Sequence, residues 1–150
     1  MADFAGAKAA IRQRLVDNWT ATPITFQNEA PPEPWPPVDA DGFATAFVNL
    51  EISSLPSSLE GAGVPGKQAW RNPGFIYVHV FVPSGSGEAQ ATQHATDVGE
   101  VFRAALFYKD EPGCYVRTWA PRVDGGGSGD DDGNWFRVTM SVPFEYWHRG

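Results

Sequence analysis

Three stretches of the chain alternate apolar and other side chains with period two, the pattern of β-strands that bury one face. The longest is Trp135–Trp147, in which every even-numbered residue from Phe136 to Tyr146 is apolar. Phe75–Val82 is apolar on both faces, which predicts a strand in the centre of a sheet. Phe43–Ile52 has one wholly apolar face. A sheet with one covered face is therefore the main constraint on the fold.

Two stretches show the spacing of helices. Apolar residues recur every three or four positions from Phe4 to Leu15, which predicts an amphipathic helix over Asp3–Asn18 with Asp3 as its cap. The same spacing predicts a second helix over Glu88–Lys109, which ends before Pro112.

Shorter strands are predicted at Ile24–Asn28 and Cys114–Ala120, so the order of elements is α-β-β-β-α-β-β. This order lacks a strict βαβ alternation and predicts an α+β fold. We expect a single domain over residues 1–150, with a mainly antiparallel (mixed) sheet of about four to five strands and two helices packed on one face.

Gly and Pro mark the connections. Glu29–Asp41 holds five prolines in thirteen residues, so it can be neither a helix nor a central strand. We interpret it as a surface loop anchored by Trp35, with an SH3-type ligand as the alternative. Ser53–Ala69 is a long connection, and Arg122–Asn134 is a loop rich in Gly and Asp.

Charge and composition exclude several classes of protein. The chain of 150 residues has 11 basic and 18 acidic side chains and a net charge of −7, which argues against tight binding of nucleic acid. Its one cysteine, Cys114, excludes an internal disulfide. No segment has the pattern of a signal peptide or a membrane span, so we expect a soluble protein made in the cytosol, without membrane contact.

No catalytic or cofactor motif is present. The glycines of Gly61–Gly63 and Gly125–Gly129 lack the Lys-Ser/Thr that a phosphate-binding loop needs. Three isolated histidines show no metal-ligand spacing, and Cys114 is expected to be a small buried residue. Asp130–Asp132 does not follow the EF-hand pattern. We therefore expect no enzyme activity, no metal and no cofactor.

The stretch WRNPGFIYVHVFVPSGSGEAQATQHATDVGEVFRA, Trp70–Ala104, resembles the phage tail terminator family. It has a Gly-aromatic start, a strand ending in Val-Phe-Val-Pro, a Gly-rich turn, and a helix of small residues ending in Phe102. The resemblance extends over nearly the whole chain. It begins with the Arg-x-x-Leu-like spacing of Arg12 and Leu15 in the first helix and ends with the closing strand that contains Val142-Pro-Phe144.

The resemblance implies a structural virion protein that forms a ring, thought to be of six subunits, on the last ring of the tail tube. There it would stop tube polymerisation and provide a docking surface for the head-tail connector, with genomic DNA passing through without tight binding. Assembly would take place in the host cytoplasm. A head-completion or connector protein of the same neck is the alternative, followed by a soluble protein-binding module and, third, an enzyme.

A ring implies two sets of site residues. We expect the long loop and the proline-rich arm to contact the sheet edge or first helix of the next subunit, or another partner. The candidate interface residues are Trp35, Leu55, Leu59, Val64 and Trp70. A negatively charged channel would repel DNA at short range. Its candidate residues are Asp110, Glu111, Asp130, Asp131 and Asp132.

Overall fold

In residues 2–130 and 132–150, which the computed structural model describes, the chain forms two helices and nine strands. The helices are α1 (Phe4–Asn18) and α2 (Ala89–Phe102). The strands are β1 (Ile24–Phe26), β2 (Phe47–Ser54), β3 (Ser58–Leu59), β4 (Ala69–Pro83), β5 (Leu106–Phe107), β6 (Tyr115–Thr118), β7 (Arg122–Val123), β8 (Gly127–Ser128) and β9 (Trp135–Arg149).

Two long strands, β4 and β9, form the centre of the sheet and pair antiparallel along their whole length, from Ala69 opposite Arg149 to Pro83 opposite Trp135. The outer edge of β4 is occupied by β2 and β3, and β1 lies beyond β2 in parallel. The outer edge of β9 is occupied by β6, β7 and β8, and β5 lies beyond β6. The predicted central position of Phe75–Val82 is confirmed.

The predicted sheet of four to five strands is wrong, because the described residues form nine strands in one mixed sheet. The α+β class holds in part, since two helices accompany this sheet. The additional strands β3, β5, β7 and β8 have two residues each. Two residues are too short to show any periodicity. These strands form because β4, β6 and β9 offer them unpaired backbone groups.

Helix α2 ends at Phe102, well before the predicted end at Lys109. Thr118 of β6 accounts for the difference. Its buried hydroxyl donates to the carbonyl of Phe102 and accepts from the N–H of Ala105 at 2.9 Å. Ala104 between them has a left-handed conformation with φ 45°. The chain then enters β5, which pairs with β6 and prevents the helix from continuing.

The core lies between the helices and the inner face of the sheet, which carries the even-numbered residues of β2, β4 and β9. Both helices contribute to this one buried cluster, α1 through Ala7, Ile11 and Leu15. The predicted cap of α1 is confirmed, because the Asp3 carboxylate accepts the N–H of Gly6 at 2.7 Å. The helices thus cover one face of the sheet and leave the other to solvent or partners.

Candidate assembly surfaces

The outer face of the sheet carries a hydrogen-bonded row across three strands. In β4, the Nε2 atom of His79 lies 2.7 Å from a carboxylate oxygen of Glu51, and its Nδ1 atom lies 2.8 Å from the hydroxyl of Thr139. The imidazole is mostly buried and both of its nitrogens have partners. The row therefore links β2, β4 and β9 through side chains in addition to their backbone pairing.

Trp35 lies at one end of the outer face, where the proline-rich segment meets the sheet. Its ring packs edge-on against Phe47 with centroids 4.5 Å apart. Phe47 in turn stacks on Phe81 at 4.8 Å and meets Trp135 edge-on at 5.0 Å. Trp35 therefore packs the proline-rich segment against the sheet of its own chain, as expected for a surface loop anchored by this residue.

The other four candidate interface residues lie at the opposite end of the sheet, which we call the apolar end. Leu55, Leu59 and Val64 are 53%, 46% and 68% exposed. Trp70 lies opposite Leu59 in the β3–β4 pair, is half-buried, and donates from Nε1 to the carbonyl of Gly150 at 3.2 Å. Three exposed branched side chains within one short segment leave apolar surface open to a partner.

Beside the apolar end, an ion-pair network stiffens the end of the β4–β9 pair. Arg71 lies 3.1 Å from a carboxylate oxygen of Glu60 and 2.9 Å from one of Glu145. The Trp147 indole donates to the second oxygen of Glu145 at 2.9 Å. The hydroxyl of Ser58, followed by Arg71, lowers the pKa of Glu60. Nothing in the sequence predicts this network, because the four charged and aromatic partners meet only through strand pairing.

The acidic candidates that the structure describes form two groups at opposite ends of β9. Asp110 and Glu111 precede β6, whose residue Tyr115 pairs with Trp147 near the end of β9. Asp130 and Asp132 precede the first residue of β9, and Asp131 lies outside the described residues. A strand of fifteen residues spans roughly 50 Å. The fold therefore separates the two groups by about the length of the sheet.

One of these carboxylates has a structural role. The side chain of Asp130 accepts the backbone N–H groups of Asn134 at 2.9 Å and Trp135 at 3.3 Å, which closes the turn into β9. Asp132 is exposed. Of the described residues in this group, Asp132 is therefore the one whose charge faces solvent most fully.

A loop tip and a groove were not singled out from the sequence. Strand β2 begins at Phe47 instead of the predicted Phe43, because Val38 and Ala44 form a bridge that turns the preceding residues into a tight loop. At its tip Phe43 is 70% exposed. A groove of about 280 Å³ lies between α1 and the edge formed by β1 and β2. The sequence does contain a signal for the loop tip, the aromatic Phe43 directly after Asp41-Gly42. The groove has no local signal, because it forms where α1 packs against the sheet edge.

The remaining candidates for chemistry give no site. No cluster of three or more metal-ligating side chains occurs in residues 2–130 and 132–150. Within the same residues, no helix is long and apolar enough to cross a membrane. Cys114 is buried and unpaired, as predicted. His148 stacks on Tyr146 at 5.1 Å, and burial lowers the pKa of His148.

Comparison with known proteins gives a family and a fold. The model of a family described as phage tail terminator protein matches residues 7–144, nearly the whole chain. Fifteen chains of solved structures match. One of them aligns with 97% of this chain and 96% of its own length, with a TM-score of 0.66 and 20% sequence identity, which shows a shared fold. A comparison with curated protein sequences finds no match.

Proposed function

The chain belongs to the phage tail terminator family, and from this premise we propose that it forms a closed ring, of six subunits, on the last ring of the tail tube. Membership makes it a structural protein of the phage tail and a virion component. In our proposal the ring stops addition of further tail tube protein and presents its far side to the head-tail connector. The observation that carries the proposal is the family match over residues 7–144. It favours a terminator over a neck connector or a soluble binding module.

The two ends of the sheet differ in the surface they offer. The apolar end exposes Leu55, Leu59 and Val64, whereas the opposite end carries Trp35 packed against its own chain and exposes Phe43 on the loop before β2. We assign the apolar end, with Trp70, to contact with the tail tube protein, because exposed apolar side chains gain most from burial against a partner. The proline-rich arm with Trp35 is assigned to contact between subunits.

Genomic DNA passes through the ring in this proposal without being gripped. Each subunit has a net charge of −7, so a ring of several copies repels phosphate. Asp110 and Glu111 lie about one strand length from Asp130 and Asp132. Both groups can border the channel only if β9 runs parallel to the channel, with one group at each mouth. We propose this orientation. A structure of the oligomer with all of these carboxylates on its outer wall would contradict it.

Electron microscopy of tail tube protein polymerised with and without this protein tests the proposal. We expect tubes whose growth stops, each with a ring at one end. A Leu55→Ser, Leu59→Ser double variant should keep its oligomeric size in solution and lose the ability to cap tubes. Leu106→Ser, which removes a leucine of similar exposure on the far edge of the sheet, is the matched control and should cap normally. Indefinite tube growth in the presence of the wild-type protein would reject the proposal.

A further inference from the structure

The loop tip at Asp39–Phe43 presents an aromatic ring and a carboxylate on a rigid turn. The side chain of Asp39 accepts the N–H of Asp41 at 2.9 Å and that of Phe43 at 3.0 Å. The N–H of Asp39 donates to the carbonyl of Phe43 at 2.9 Å, which closes the loop. Phe43 is nevertheless 70% exposed, more than any other large apolar side chain in residues 2–130 and 132–150. A turn fixed by hydrogen bonds that exposes a phenylalanine is suited to insertion into a partner, because the turn loses little conformational entropy on binding.

The groove between α1 and the sheet edge offers a matching surface. The sheet lines it with Phe26, Leu50 and Ile52, and α1 lines it with Lys8, Ala9 and Arg12. At about 280 Å³ it has room for an aromatic ring. Strand β2 continues to Ser54, past its last pairing with β1 at Leu50, and among the described residues no other strand pairs with this stretch of the edge.

The charges of the two surfaces are complementary. Arg12 is already paired with Glu29 and lies over the ring of Phe26 at 3.7 Å. Lys8 is exposed and has no ion pair within the described part of the chain. The tip brings a carboxylate, Asp41, next to Phe43. Copies with a net charge of −7 repel each other at long range, so a local pairing of opposite charges favours one register between them.

We infer that Phe43 of one copy inserts into the groove between α1 and the β1–β2 edge of the next copy, with Asp41 beside Lys8. Tip and groove are different surfaces, so the contact is head-to-tail, the type of contact from which a closed ring is built when the rotation between copies closes. The tip lies before the start of β2 and the groove lies beside its far half, so Phe43 leaves the groove of its own chain empty. This inference rests on the proposed ring and names the surfaces that form it.

Cysteine cross-linking tests the contact directly. A disulfide forms only where two Cα atoms approach within about 7 Å. Under oxidation, the double variant Ala9→Cys, Ala40→Cys, which keeps both Phe43 and Asp41 of the tip, should give a ladder of linked species up to the full ring on a non-reducing gel. The matched control Val16→Cys, Ala40→Cys carries its helical cysteine about two turns further along α1 and should give no ladder. A band linked only within one chain, or equal ladders from both variants, would overturn the inference.

Charge reversal supplies an independent measurement. Lys8→Glu and Asp41→Lys should each raise the concentration for half-assembly about tenfold, which corresponds to about 1.4 kcal/mol. The combination should restore it. Both residues are exposed, so the thermal unfolding of each variant should match the wild type. Unchanged assembly of a wild-type-sized ring by both single variants and by Phe43→Ser would refute the tip-in-groove contact and leave the proposed function intact. A wild-type protein that stays monomeric both alone and on tubes would refute the ring itself.

Discussion

Gly74 and Phe144 lie directly opposite each other in the central strand pair, and the ring of Phe144 occupies the space where a side chain of residue 74 would stand. A Cβ atom on Gly74 would lie 2.7 Å from Cε1 of Phe144 and closer still to the carbonyl oxygen of Ser53. Strand β4 can therefore pair with β2 and β9 at this point only if residue 74 has no side chain.

Gly74→Ala should accordingly lower the free energy of unfolding by about 1–3 kcal/mol, because neither the Ser53 backbone nor the buried Phe144 ring can move away cheaply. Urea denaturation followed by circular dichroism measures it. Gly125→Ala is the control, since, apart from its two chain neighbours, no described residue has an atom within 4 Å of its added Cβ. Equal stability of the two variants would show that the strand pair accommodates the methyl group.

Thr118→Val should destabilise the protein by about 1–3 kcal/mol, because it keeps the shape of the side chain and leaves the N–H of Ala105 and the carbonyl of Phe102 without their buried partner. Thr118→Ser retains the hydroxyl and should lose less. Chemical denaturation compares the two. If valine were as stable as serine, the end of α2 would not depend on this hydroxyl.

Trp35→Ala should lower stability by about 1–2 kcal/mol, less than truncation of a fully buried tryptophan, because the half-buried ring loses its packing against Phe47. Trp35→Phe keeps an aromatic ring at this position and should recover part of the loss. Thermal unfolding and light scattering on the same samples separate the two roles of the residue. A stable alanine variant with reduced oligomer size would mean that Trp35 acts only between subunits.

Glu29→Gln should destabilise the protein at neutral pH and not at low pH. The hydrogen bond and charge of Arg12 lower the pKa of Glu29 in the folded state. A lowered pKa of a carboxyl contributes stability above its unfolded value of about 4.3, and that contribution is lost as the pH falls through the folded value. Unfolding curves of both proteins from pH 7 to pH 2 should converge at the acid end.

Arg12→Ala is the background for the control. Without the guanidinium, Glu29→Gln should have no pH-dependent effect, and added salt should weaken the effect in the wild-type background because both side chains are partly exposed. A pH-dependent difference that persists in the Arg12→Ala background would assign the effect to another group.

Part of the surface chemistry followed from the sequence and part did not. Exposure of Leu55, Leu59 and Val64 agrees with their position in a segment rich in Gly and Pro and without periodicity. The separation of Asp110 from Asp132 by the length of β9 was not predictable, because it depends on which strands pair. The ion pairs of Arg71 and the bonds of His79 likewise join residues far apart in the chain.

Local pattern alone determined the inner face of β4 and β9, helix α1 and its Asp3 cap, and the resemblance to tail terminators. Each of these depends on the spacing of residues close together in the sequence, and that spacing does not depend on the rest of the fold. Tertiary structure decided the four two-residue strands, the end of α2 at Phe102, and the groove beside α1. Such features owe their stability to hydrogen bonds and packing with distant partners, so no local signal in the sequence encodes them.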